Sequence, residues 1–162
     1  MERFEEKRLT YNYTQTNDAP PDKVFPLLCP VREAEWVPGW EYQLFYSQSG
    51  VAEDGCVFST PNDAGPDTIW MVTNYDPAGF RIAYAWVQPG MIATQLRISL
   101  APAPGSKTNT CIRFLYTGLS AAGNAALERY TPEWFRNKME SWQRAINHYL
   151  VTGKLLQAAA WE

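Results

Sequence analysis

The sequence predicts an α+β fold: a curved, seven-stranded antiparallel sheet wrapped around one long C-terminal helix, with two short helices between the first and second strands. Three observations carry this. Residues 40 to 119 contain six apolar runs rich in β-branched and aromatic residues, separated by short turn signals that favour antiparallel neighbours. One earlier run, residues 8 to 16, alternates with period two. Beyond residue 131 the period lengthens to that of an amphipathic helix.

In RLTYNYTQT, Leu9, Tyr11 and Tyr13 fall on one face and Thr10, Asn12 and Thr14 on the other, as in a half-buried strand. NDAPPDKVFPLLC follows, with Asn17 or Asp18 as a cap, prolines suited to a first turn, and Val24, Leu27 and Leu28 at helical spacing before Pro30 interrupts. A second short helix over about residues 31 to 36 ends at Pro38-Gly39. The strand runs are WEYQLFYSQ, GCVFST, DTIWMVTNYD, GFRIAYAWVQ, MIATQLRISLAP and NTCIRFLYTGL, with Gly, Pro, Asn and Asp between them. SAAGNAALERY gives a helical turn or two. In TPEWFRNKMESWQRAINHYLVTG, Thr131 caps, Pro132 takes the first helical position and Gly153 stops the helix. Phe135, Met139, Trp142, Ile146, Tyr149 and Leu150 form its apolar stripe, while Arg136, Asn137, Lys138, Glu140, Gln143, Arg144 and Asn147 lie mostly off it.

At 162 residues and 46% hydrophobic, the chain suits one domain over residues 1–162 with a single core. A net charge of -3 without a Lys/Arg cluster argues against nucleic acid and against an anionic membrane surface. Cys29, Cys56 and Cys111 are widely spaced and read as free thiols in a reducing cytosol. The N-terminus lacks a signal-peptide core, and no run reaches the roughly 18 apolar residues a bilayer span needs. A soluble cytoplasmic protein without integral membrane contact is expected. His148, the one histidine, falls far from the apolar stripe and reads as a surface or rim residue; no GxSxG, GxGxxG or metal-ligand spacing occurs. No cofactor and no metal are expected.

Aromatic residues make up 14% of the chain, with seven Trp and nine Tyr, more ring surface than a close-packed core of this size needs. By alternation, Trp40, Tyr42, Leu44 and Tyr46 share one face of the second strand, Phe80, Ile82, Tyr84 and Trp86 one face of the fifth, and Ile112, Phe114 and Tyr116 one face of the last. These rows point at the helix. The expected ligand-binding set is Trp40, Tyr42, Phe58, Trp70, Tyr84, Trp86, Phe114, Tyr116, Phe135, Met139 and Trp142, with tyrosine hydroxyls orienting a polar group. Arg97 and Arg113 fall on the outer face with Gln95, Ser99 and Thr117. Glu33, Glu35 and Glu41, beside the tryptophan turn, are candidates for an entrance acid, but charges next to a turn are expected in solvent, and no acid/base couple or catalytic residue is assigned. No extended exposed apolar strand face is expected. In EWVPGW, Trp36 is read as a pin under the second helix and Trp40 as a cavity wall.

Over about residues 8 to 152, the order of elements resembles the START-like or SRPBCC superfamily, the helix-grip fold, in its polyketide cyclase-like and uncharacterised bacterial branches. APPDKVFPLL in the first helix, EWVPGW, which looks like the W-x-PG turn of those branches, and SWQRAINHYLVTG at the end of the long helix carry the resemblance. It implies a cavity between sheet and helix that binds a small hydrophobic or amphipathic molecule: a lipid, a polyketide or an aromatic metabolite. It also leaves open a cyclase or dehydratase-like enzyme using the same cavity, a heat-shock-activator-like interaction module, and a homodimer. Because one fold hosts many functions, the resemblance alone does not choose.

Overall fold

The computed structural model describes residues 4–157. Its strands are β1 (Arg8–Asn17), β2 (Gln43–Tyr46), β3 (Val57–Thr60), β4 (Thr68–Asp76), β5 (Arg81–Gln88), β6 (Ile92–Ala103) and β7 (Lys107–Gly118). They form one antiparallel sheet in the order β1-β7-β6-β5-β4-β3-β2. The helices are α1 (Pro21–Val24), α2 (Pro30–Glu33), α3 (Ala121–Leu127) and α4 (Pro132–Thr152). A 3₁₀ turn, Phe25–Leu28, joins α1 to α2, because Pro26 has no N–H to continue an α-helix. The expected helix-grip architecture is present: a seven-stranded antiparallel sheet, two short helices between its first two strands, and a long C-terminal helix.

Register turns the alternating sequence into rows across the sheet. Phe58, Trp70, Trp86, Thr94, Tyr116 and Leu9 face one another from β3 to β1. The next row runs Val72, Tyr84, Leu96, Phe114, Tyr11, and the next Ile82, Ile98, Ile112, Tyr13. All lie on the side facing α4, whose Phe135, Met139, Ala145 and Ile146 are buried. Thr131 accepts from the Trp134 N–H at 3.1 Å and Gly153, at φ 69°, donates to the Tyr149 carbonyl at 2.7 Å, so both ends of α4 are capped as the sequence predicts.

Four local expectations are corrected. Asn17 and Asp18 cap nothing: Asn17 is fully buried and accepts from Thr110 Oγ1 at 2.6 Å, while Asp18 pairs with Lys107 at 3.1 Å. The second strand begins at Gln43 rather than at Trp40, since its partner β3 stops at Thr60 before Pro61. A bulge at Phe45 then turns Tyr46 outward, where it is 56% exposed. The outer face also carries exposed Ile69, Met71 and Val87, with Ile69 directly opposite Val87. Alternation cannot reveal such a patch, because β4 is apolar on both faces. Arg97 and Arg113 are exposed and stand opposite each other on that outer side.

Trp36 is completely buried: its indole N–H donates to the Leu27 carbonyl at 2.8 Å and its ring meets Trp142 edge-on at 5.0 Å. It thus ties the short helices to α4. At the far margin, Asn147 of α4 accepts from Asn17 Nδ2 and the Asp18 N–H, both at 3.1 Å, and donates to the Thr16 carbonyl at 3.0 Å. Between the two, Gly39 at φ 71° makes the reversal into Trp40. Replacing Trp36 by Ala removes the ring and strands the Leu27 carbonyl. Urea denaturation is expected to show a loss of roughly 3–5 kcal/mol.

Candidate ligand cavity

The three rows and α4 do not meet everywhere. Between them lies a cavity of about 180 Å³ lined by Val37, Trp40, Phe58, Trp70, Tyr84, Trp86, Leu96, Ile98, Ile112, Phe114, Met139 and Trp142, with Glu33 and Lys138 also at its edge. Bulky rings lock one another in place there. Phe58 stacks on Trp70 at 5.5 Å, the Trp70 and Trp86 centroids are 3.9 Å apart, and Trp86 meets Phe114 edge-on at 6.1 Å. Trp40 is fixed by its indole N–H, which donates to the Pro30 carbonyl at 2.8 Å.

Eight residues of the expected set therefore share one cavity: Trp40, Phe58, Trp70, Tyr84, Trp86, Phe114, Met139 and Trp142. Three do not. Tyr42 lies before β2 begins, is half-buried and packs on the core from outside the cavity. Tyr116 sits two residues further along β7 than Phe114, in a ring cluster with Tyr130 (5.0 Å) and Trp134 (6.3 Å). Phe135, one turn before Met139, stacks on Tyr11 of β1 at 4.8 Å. Trp36 belongs to the core and Trp40 to the wall, as read from EWVPGW.

The expected hydroxyls contribute little to the cavity. Tyr84 donates its O–H to the Leu28 carbonyl, and the Tyr116 hydroxyl is buried without a partner among the described residues. Burial raises both phenols above their ordinary range. His148 is half-buried and off the cavity wall.

Two charged residues outside the expected ligand-binding set also border the cavity. Glu35 is indeed exposed, bound by Arg32 and by Tyr149 Oη at 2.9 Å, and Glu41 is exposed as well. Glu33, however, ends α2 with its carboxyl at the cavity, where loss of water raises its pKa from 4.5 to about 8. Lys138 is an exposed residue that also borders an outer groove with Trp134, Asn137 and Ser141. Its ammonium nevertheless lies among rings, 4.6 Å from the Phe114 centroid and 5.2 Å from that of Trp134. Desolvation pushes its pKa down to about 8. No opposite charge contributes to either shift; loss of water moves each group toward its neutral form. The signal for Lys138 is its place one turn after Trp134 and one turn before Trp142, on the edge of the stripe rather than behind it.

No family model and no curated protein matches the sequence. Solved structures do. Ara h 8.0201 matches with 17% identity and a TM-score of 0.62, covering 90% of this chain and 99% of that one. Norcoclaurine synthase from Thalictrum flavum, in complex with dopamine and hydroxybenzaldehyde, matches with 11% identity and a TM-score of 0.66, covering 92% and 90%. The di-domain ARO/CYC BexL from the BE-7585A biosynthetic pathway matches with 13% identity and a TM-score of 0.67, covering 88% of this chain and 47% of that one. Among the described residues no helix is long and apolar enough to cross a membrane.

Glu33 makes stability depend on pH. Between about pH 4.5 and pH 8 the unfolded chain releases this proton while the folded chain keeps it, so stability falls as pH rises through that window. Glu33→Gln cannot titrate. Urea denaturation at about pH 5 and about pH 8 is expected to show a decline for the wild type larger than that of the variant by on the order of a few kcal/mol.

Proposed function

Because the chain carries the helix-grip fold of START-like proteins, we propose that it binds a small aromatic molecule, about one ring in size, in the cavity beneath α4. The observation that carries this is the match of volume and wall: about 180 Å³ bounded by the rings of Trp40, Phe58, Trp70, Trp86, Phe114 and Trp142. An engineered apolar cavity of about 150 Å³ in another protein takes up benzene, which sets the scale. A lipid chain or a multi-ring polyketide calls for the larger space of roughly 300 Å³ upward that such ligands usually occupy. The fold neighbour norcoclaurine synthase is seen with dopamine and hydroxybenzaldehyde, each a one-ring compound. Affinity would come from apolar area removed from water, at roughly 25 cal/mol per Å².

A second reading, a cyclase-type enzyme, draws on Glu33 and Lys138, which both line the cavity and whose pKa values desolvation shifts toward neutral pH, as acid and base steps need. The free thiols Cys29, Cys56 and Cys111 suit a reducing compartment, and the proposal places the protein in the cytoplasm.

Calorimetric titration with benzyl alcohol and with palmitate tests the size argument. Saturable binding of the ring compound and none of the fatty acid is expected; the reverse order would refute it. Trp40→Ala should weaken benzyl alcohol binding by about tenfold, the loss of one wall of apolar contact. Its cost in stability should stay below that of Trp36→Ala.

A further inference from the structure

On the reading that the cavity holds one aromatic ring, we infer that its ligand carries an anionic group, a carboxylate or an ionised phenol, and that Lys138 is the residue that binds it. The inference starts from what Lys138 lacks. The ion pairs among the described residues are Arg32–Glu35 and Lys107–Asp18, so this ammonium has no carboxylate within 4.0 Å. It donates no hydrogen bond to any described side chain or carbonyl either, and its nearest described partners are the faces of Phe114 and Trp134. Ring faces attract a cation but take up none of its N–H donors as conventional hydrogen bonds, leaving them free for a ligand.

An ammonium without an ion-pair partner, seated over ring faces at the edge of an apolar cavity, is placed to form charge-assisted hydrogen bonds with an entering anion. The other polar groups on the wall do not compete for the ammonium. The Tyr84 hydroxyl is committed to the Leu28 carbonyl, and Glu33, whose pKa burial raises, forms no ion pair with Lys138. The wall also gives the geometry: Trp70 and Trp86 flank the apolar interior, while Lys138 borders both the cavity and the outer groove. A ring inside and its charged substituent toward the mouth satisfy both.

Three probes of one size separate this from simple ring binding: benzoate, benzyl alcohol and benzylamine, titrated calorimetrically into the full chain at about pH 7, where the acid and amine are ionised. Benzoate is expected to bind about tenfold or more tighter than benzyl alcohol, the gain of a charge-assisted over a neutral hydrogen bond, with benzylamine weakest. Lys138→Met should bring the benzoate to benzyl alcohol ratio to about one or below, and Lys138→Arg should retain most of it. Near-ultraviolet circular dichroism confirms that each variant is folded. If benzyl alcohol binds the wild type but benzoate binds no tighter, or if Lys138→Met keeps the preference, this inference is overturned while the ring-binding reading stands. If no probe binds, both fall.

Discussion

The structure depends on α4 being tied along both of its sides, to β1 on one and to the short helices on the other, with the cavity beneath it. On one side, Asn147 and Gln143 bond to the end of β1, with Tyr13 donating to Gln143 at 2.6 Å, and the close backbone approach of α4 to the sheet is at β1. On the other, Trp36 meets Trp142, and Tyr149 reaches Glu35. A polar seam has fixed distances, unlike an apolar contact that can slide closer. With both margins set, the middle of α4 spans the rows of β4 to β7, and Met139 alone of its buried residues reaches the cavity wall. The rings beneath cannot close the gap, since each is already packed against its neighbour across the sheet.

That constraint also sets the electrostatics. An open space with apolar walls is a poor solvent for charge, so any titratable group at its rim shifts toward neutrality. Glu33 and Lys138 shift in opposite directions for this one reason, without pairing to each other. Their presence at the cavity is a cost to folding, and groups retained at such a cost are candidates for function. The same reasoning leaves the exposed patch of Ile69, Met71 and Val87 as a feature of the outer sheet face.

Much of the fold was legible in the sequence. Strand alternation together with short antiparallel connections placed Trp70, Trp86, Tyr84 and Phe114 on one side, and register then aligned them. Legibility ended where position depends on partners distant in the chain. Trp40 to Tyr42 read as strand, yet pairing there needs a β3 that Pro61 has ended. Tyr46 read as interior, yet a bulge reverses it. Glu33 reads as solvated because charge beside a turn is normally a sign of surface, and Lys138 falls off the apolar stripe; only the placing of α2 and of α4 over Phe114 brings them to the cavity. Tyr116 and Phe135 read correctly as inward-facing, but the helix covers them with other rings instead of leaving space.

The central claim is a preformed apolar space between α4 and the sheet, and xenon tests it most directly, because it enters dry cavities without chemical selectivity. Diffraction from crystals under xenon pressure should show a xenon peak bounded by Trp70, Trp86, Ile98 and Met139. The absence of any peak there, with the Trp70 and Trp86 rings closed against Met139, would contradict it.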